Sequence, residues 1–232
     1  MREATMGGVR LIYHSSNYVF LADLEHEEHG RGYGIYKPAR GEQPLYDFPD
    51  GLYSREIAAY ELARLLWWDI IPPTVQADGP HGPGSLQLFI EHDPQQHYFE
   101  LREVDRYDWQ FVRFAAFDLV ANNADRKGGH LLLDPQGTIW GIDNGLCFNR
   151  VDKIRTVIWD YAGTELPVEW VEDLRRVGDS LRACDALARP LLDRLATGEA
   201  EALLARLDAL VADPVLPAME AYDRRVVPWP MV

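Results

Sequence analysis

The chain has 232 residues, 47% of them hydrophobic, and 37 acidic side chains against 23 basic ones give a formal charge of -14. That length can build one well-buried core or two lobes sharing a cleft, and the acidity argues against nucleic acid or an anionic membrane as a partner. Two cysteines, Cys147 and Cys184, are too few for a disulfide framework, and with no signal-peptide core and no run of membrane-spanning length a cytosolic protein is expected.

From Val9 to Leu24 the residues alternate as in a hairpin around Ser15-Ser16-Asn17. Backbone N–H groups and serine hydroxyls at such a turn can approach phosphates, although the glycine fingerprint of a nucleotide loop is absent and a plain turn also explains the tripeptide. A polar loop over 25–32 precedes Tyr33-Gly34-Ile35-Tyr36, which delivers Lys37 to a strand end, facing a cleft or solvated at an edge. Residues 41–51 are too rich in Pro and Gly for regular structure and read as an ordered loop anchored by its aromatics. A helix is expected from Ser54 as N-cap, with Ile57, Ala58, Leu62, Leu65 and Leu66 at helical spacing. Glu56 in its first turn is the candidate partner that would fix the Lys37 ammonium, with Glu42 as competitor; the helix dipole alone also favours a glutamate there.

Residues 70–75, a Gly/Pro turn over 78–84 and a strand over 85–90 lead into Glu91-His92-Asp93-Pro94. That polar break is a natural hinge between lobes spanning 1–92 and 93–232, and equally an edge strand entering a loop. A largely buried helix over 105–120 runs straight into Asn122 and presents the loop that follows. Residues 149–167 read as irregular and placed to cover a site. Beyond Pro167, regularly spaced leucines outline two or three amphipathic helices of a helical lobe, and the apolar tail 226–232 is expected to pack down.

Most of the chemistry lies in Asn122-Asn123-Ala124-Asp125-Arg126-Lys127-Gly128-Gly129-His130 and Gly141-Ile142-Asp143-Asn144-Gly145. Between them, Leu131-Leu132-Leu133, the turn Asp134-Pro135-Gln136-Gly137 and Thr138-Ile139-Trp140 form a hairpin that brings Asp125 and Asp143 together. Phosphoryl transfer needs one carboxylate to orient the attacking hydroxyl and another to hold the metal that bridges the phosphates. Asp125 suits the first role and Asp143 the second, and Lys127 could reach the γ-phosphate. His130 stands where a second metal ligand is expected, or is a buried histidine that touches no metal.

In order along the chain, Ser15-Ser16-Asn17, Tyr36-Lys37-Pro38-Ala39-Arg40-Gly41-Glu42, Arg55-Glu56-Ile57-Ala58-Ala59-Tyr60, Asn122-Asn123-Ala124-Asp125-Arg126 and Ile142-Asp143-Asn144-Gly145 resemble the motifs of the phosphoinositide 3/4-kinase-like superfamily of atypical kinases, in its small actinobacterial branch. The resemblance implies an α+β, two-lobed protein-kinase-like fold, with a small β-rich N-lobe carrying one helix and a larger helical C-lobe. It implies ATP and Mg or Mn between the lobes, with phosphates near Ser15, Ser16, Asn17 and Lys37 and the base beside Leu88, Phe89 and Ile90. It makes Asp125 the catalytic base and Asp143 the metal ligand. The family's loop reads Asp-Arg-His with Asn five residues after the Asp, where this chain has Lys127 and His130. Magnesium prefers oxygen ligands, so a His130 ligand would suit manganese better. The implied activity is ATP-dependent phosphoryl transfer to a protein or small-molecule hydroxyl, with lipid disfavoured by the acidity. The alternatives are a nucleotide-binding pseudokinase that presents its helical lobe to a partner, and nucleotidyl transfer in the same cleft.

Overall fold

The computed structural model describes residues 3–12 and 17–232; Ser15 and Ser16 of the expected phosphate turn lie outside the described residues. Period-two alternation makes β1 (Thr5–Ile12), β2 (Val19–His26) and β3 (Gly30–Pro38), and β4 (Thr74–Gly79) and β5 (Gly82–Leu88) complete an antiparallel sheet ordered β1-β2-β3-β5-β4. Phe20, Ala22, Leu24, Tyr36 and Leu86 fill one small buried cluster. Alternation therefore turns Val19, Ile35, Lys37 and Gln87 to the opposite face. The strands outrun the expected loops: pairing continues to His26↔Gly30 and Gly79↔Gly82, so the loop at 25–32 and the turn at 78–84 shrink to their tips. Gly30 and Gly82 close those tips at φ 74° and 94°, which a residue with a Cβ adopts only under strain.

The connection from β3 to β4 carries α1 (Leu52–Leu65), which starts two residues before the expected Ser54 cap. Its cap comes from Glu42: that carboxylate accepts the N–H groups of Gly51, Leu52 and Tyr53 at 3.0, 3.0 and 2.7 Å. Three otherwise orphaned helix donors are satisfied, and a negative charge sits at the positive end of the dipole. Within the loop before it, Phe48 is buried against Leu52 and Ala124 whereas Tyr46 is fully exposed, so one aromatic provides the anchor.

The helical lobe contains α2 (Tyr98–Leu101), α3 (Asp108–Ala121), α4 (Val168–Ala183), α5 (Arg189–Leu192) and α6 (Thr197–Ala212). Phe111, Phe114 and Phe117 of α3 form the centre of its core with Leu174 and Leu181 of α4 and Leu203 and Leu207 of α6. Leu62 and Leu66 reach into the same cluster, so α1 bridges sheet and helices. Arg55 of α1 adds a buried ion pair with Glu199 of α6 and donates to the Cys147 carbonyl at 2.9 Å. The tail packs down over 226–228, where Val226 and Pro228 are buried, but Trp229 is 74% exposed and Met231 and Val232 are also exposed. Its contacts are made by backbone carbonyls, with Val226 accepting from Thr156 N–H and Met231 from Gly128 N–H, which leaves the last side chains outside. Among the described residues no helix is long and apolar enough to cross a membrane.

Candidate active site

Two loops and one strand end converge beneath the sheet. α3 stops at Asn122 in the left-handed conformation, φ 53°, where its side chain donates to the carbonyls of Asn149 and Val151 at 2.9 and 2.8 Å and accepts Lys153 N–H at 2.9 Å. Asn123 accepts Asp125 N–H at 3.0 Å and donates to Asp118 at 3.1 Å. The two asparagines thus shape the turn that presents Asp125. The hairpin of β6 (Leu131–Leu133) and β7 (Ile139–Gly141) then returns the chain to Asp143, itself left-handed at φ 58°.

Arg126 joins the two loops. Fully buried, it pairs with the equally buried Asp118, donates to the Ile142 carbonyl at 2.8 Å and to Asn144 Oδ1 at 2.7 Å. Ile142 and Asn144 flank Asp143, so the residue after one carboxylate holds the neighbours of the other, by a backbone carbonyl on one side and a side chain on the other. Thr156 Oγ1 and Asn123 complete the donors to Asp118, which satisfies a carboxylate that burial alone would penalise. Sequence reading missed Asp118; its only signal is an acid amid the apolar run Phe114-Ala115-Ala116-Phe117.

Lys37 reaches the same place from β3. Its ammonium pairs with Glu56 and with Asp143 Oδ1, the latter at 2.8 Å. Glu56 also accepts Asn144 N–H at 2.9 Å, so α1 grips both the lysine and the Asp143 loop. Between the two candidates the structure pairs Lys37 with Glu56, because Glu42 is occupied by the start of α1. Burial opposes the Lys37 charge, but the carboxylates of Asp143 and Glu56 outweigh it and hold its pKa above the usual lysine value. Lys37 in turn holds Asp143 well below the usual carboxylate range. Burial pushes Asp125 up, against Lys127, whose ammonium lies 3.2 Å from Asp125 Oδ2; Asp143 raises it further and Arg155 lowers it. His130 is pushed down to about 4 by burial, against the pull of Asp143 and with Arg126, Lys127 and Lys37 adding to the drop.

These side chains line two adjoining cavities. One of about 210 Å³ is bordered by Asn17, Lys37, Glu42, Glu56, Asp125 and Asp143. The other, of about 270 Å³, is mostly apolar, walled by Val19, Ile35, Leu88, Phe89, Ile90 and Leu132, and it shares Val19, Lys37 and Asp143 with the first. All the candidate residues among the described ones therefore come together around one cleft, with Lys127 and His130 just behind it on the two carboxylates. No cluster of three His, Cys, Asp or Glu side chains able to hold a metal occurs among the described residues. The carboxylates of Asp143 and Asp125 fit a hard divalent cation of the kind that protein sites hold through one or two carboxylates while phosphate oxygens and water complete the shell.

Comparison with known proteins agrees with this geometry. The family pattern described as phosphatidylinositol 3- and 4-kinase matches residues 63–182. Protein Rv2133c of Mycobacterium tuberculosis (strain ATCC 25618 / H37Rv) is 35% identical over 230 aligned residues, covering 84% of this chain and 81% of that protein. Among solved structures, hydra Fam20 with sugar superposes with a TM-score of 0.52 at 16% identity over 90% of this chain and 84% of that one. The Helicobacter pylori proinflammatory kinase CtkA gives a TM-score of 0.50 at 10% identity over 92% and 93% of the two chains. At such identities the likeness is one of fold, and the fold is the two-lobed α+β architecture of kinases. The chain belongs to the phosphatidylinositol 3- and 4-kinase family.

Proposed function

We propose that the cleft binds ATP with a divalent cation, magnesium or manganese, and transfers its γ-phosphoryl group to a hydroxyl of a protein or small molecule, with the lobes meeting near residue 92. The observation that carries this reading is the meeting of Lys37, Glu56, Asp125 and Asp143 around one polar cavity that opens into an apolar one. A flat base suits the apolar cavity. Leu88 and Phe89 spend their N–H groups on the carbonyls of Pro73 and Tyr33, at 2.9 and 3.1 Å, which leaves Ile90 N–H among the three to read the base edge.

Lys37 binds phosphate oxygens, and Glu56 keeps its ammonium from swinging into solvent. Asn17 borders the same cavity. Asp143 holds the cation, which when bound would neutralise charge on the phosphates. Asp125 accepts the hydroxyl proton as the acceptor oxygen bonds to the γ-phosphorus and the bond to the bridging oxygen of ADP breaks. A carboxylate raised by burial is a better base for that proton than a solvated one. Lys127 steadies Asp125 and stands near charge that develops during transfer.

Release of γ-labelled phosphate from ATP, with acceptors drawn from proteins and small hydroxyl compounds, tests the reading; label transferred only from the α-position would replace it with nucleotidyl transfer. A pH profile adds a sharper check. Because Lys127 lowers the Asp125 pKa, Lys127→Ala is expected to move the acid limb of kcat/KM to higher pH. An unmoved limb would remove Asp125 from the role of base.

A further inference from the structure

We propose that His130 is a positioning residue that presents a ring N–H to Asp143, and that the site therefore holds one divalent cation where a catalytic-loop asparagine would hold a second. The inference rests on the phosphotransferase reading only for its consequence, the metal count; the hydrogen-bond assignment stands on its own.

The polarity of the contacts around the ring decides the assignment. Lys127 N–H is directed at His130 Nδ1, 3.3 Å away. A nitrogen that accepts a hydrogen bond keeps its lone pair in the ring plane, so the ring is neutral and carries its hydrogen on Nε2. Nε2 lies 3.4 Å from Asp143 Oδ2, so the edge of the ring that carries the hydrogen is the one beside the carboxylate. A histidine that ligates metal shows the opposite arrangement: one nitrogen gives its lone pair to the ion while the other donates to a carbonyl or carboxylate. Here the nitrogen remote from Asp143 meets an N–H, a partner that cannot accept.

The backbone holds the ring in that pose. His130 closes a single tight turn over Gly128–His130, its N–H donates to the Lys127 carbonyl at 3.2 Å, and its own carbonyl accepts Ile142 N–H at 2.9 Å. Gly128 at the start of the turn is tied to the Met231 carbonyl at 2.7 Å. Turning the ring over to free Nε2 would leave Lys127 N–H without its acceptor. Asp143 is thus gripped on both oxygens, Oδ1 by Lys37 and Oδ2 by His130. Its remaining lone pairs can serve one cation, and position 130 adds no oxygen for a second while Asp125 is engaged with Lys127.

Two measurements test this. Two-bond proton–nitrogen correlation of the 15N-labelled, nucleotide-free protein reads the tautomer, and the His130 ring is expected as the Nε2–H form; an Nδ1–H ring overturns the assignment whatever the nucleotide does. Mn(II) titration followed by electron paramagnetic resonance, with a non-hydrolysable ATP analogue, is expected to give one bound ion per chain without directly coordinated ring nitrogen. His130→Asn, which supplies the missing oxygen, is expected to bind a second ion. Two ions on the parent protein, or a direct nitrogen coupling that His130→Asn removes, overturns the proposal. Absence of any nucleotide binding would instead fail the phosphotransferase reading, and the tautomer would still decide the role of His130.

Discussion

Arg126→Met is expected to destabilise the fold by about 3–5 kcal/mol, because it strands the Asp118 carboxylate in the core without its counter-ion. Against a total stability of about 5–15 kcal/mol for a typical domain, a loss of that size is a large share of the whole. The effect is not simply one of lost packing. Asp118 and Arg126 are both completely buried, and the guanidinium also holds the Ile142 carbonyl and the Asn144 side chain on either side of Asp143. Arg126→Met combined with Asp118→Leu should recover much of the loss, since removing both partners leaves no uncompensated charge. Urea denaturation of the single and double variants checks this; equal stability of Arg126→Met and the parent would mean that the pair does not hold the loops.

Asp125→Asn is expected to lower the rate of γ-phosphoryl transfer about 10²–10⁴-fold while leaving ATP affinity unchanged, because the amide keeps the shape of the carboxylate and cannot take a proton. The separation of the two readouts carries the argument. Asp125 lies across the polar cavity from Lys37 and is turned by Asn123, so its replacement leaves the phosphate-binding pair of Lys37 and Glu56 in place. Single-turnover kinetics with saturating ATP measures the chemical step directly. A variant as active as the parent would assign the proton to another group and favour nucleotide binding without transfer.

What the sequence made legible was the polar punctuation of the cleft. Lys37 ends an apolar strand, Asp125 follows two asparagines after a buried helix, and Asp143 follows a hairpin, so each stands where regular structure stops and a side chain is free to face a cavity. Hydrophobic periodicity likewise marked α1, α3 and the helical lobe. The illegible parts are those set by contacts distant in sequence. Nothing local says that Glu42 caps a helix starting ten residues later, and the Ser54 expectation failed because a carboxylate from the preceding loop satisfies the first turn instead. Asp118 hides in an apolar helix face because its partner lies across the core. Strands run further into 25–32 and 78–84 than the polarity of those segments predicts, because residues at hairpin tips still pair through their backbones.

The central claim is that Lys37, Glu56 and Asp143 form a site for metal-bound ATP, and calorimetric titration of ATP with magnesium or manganese into the parent and Asp143→Ala tests it most directly. Binding is expected to depend on the metal and to weaken at least about tenfold in the variant, as the loss of a charge-assisted interaction requires. No binding by the parent with either metal, or equal binding by parent and variant, would contradict it.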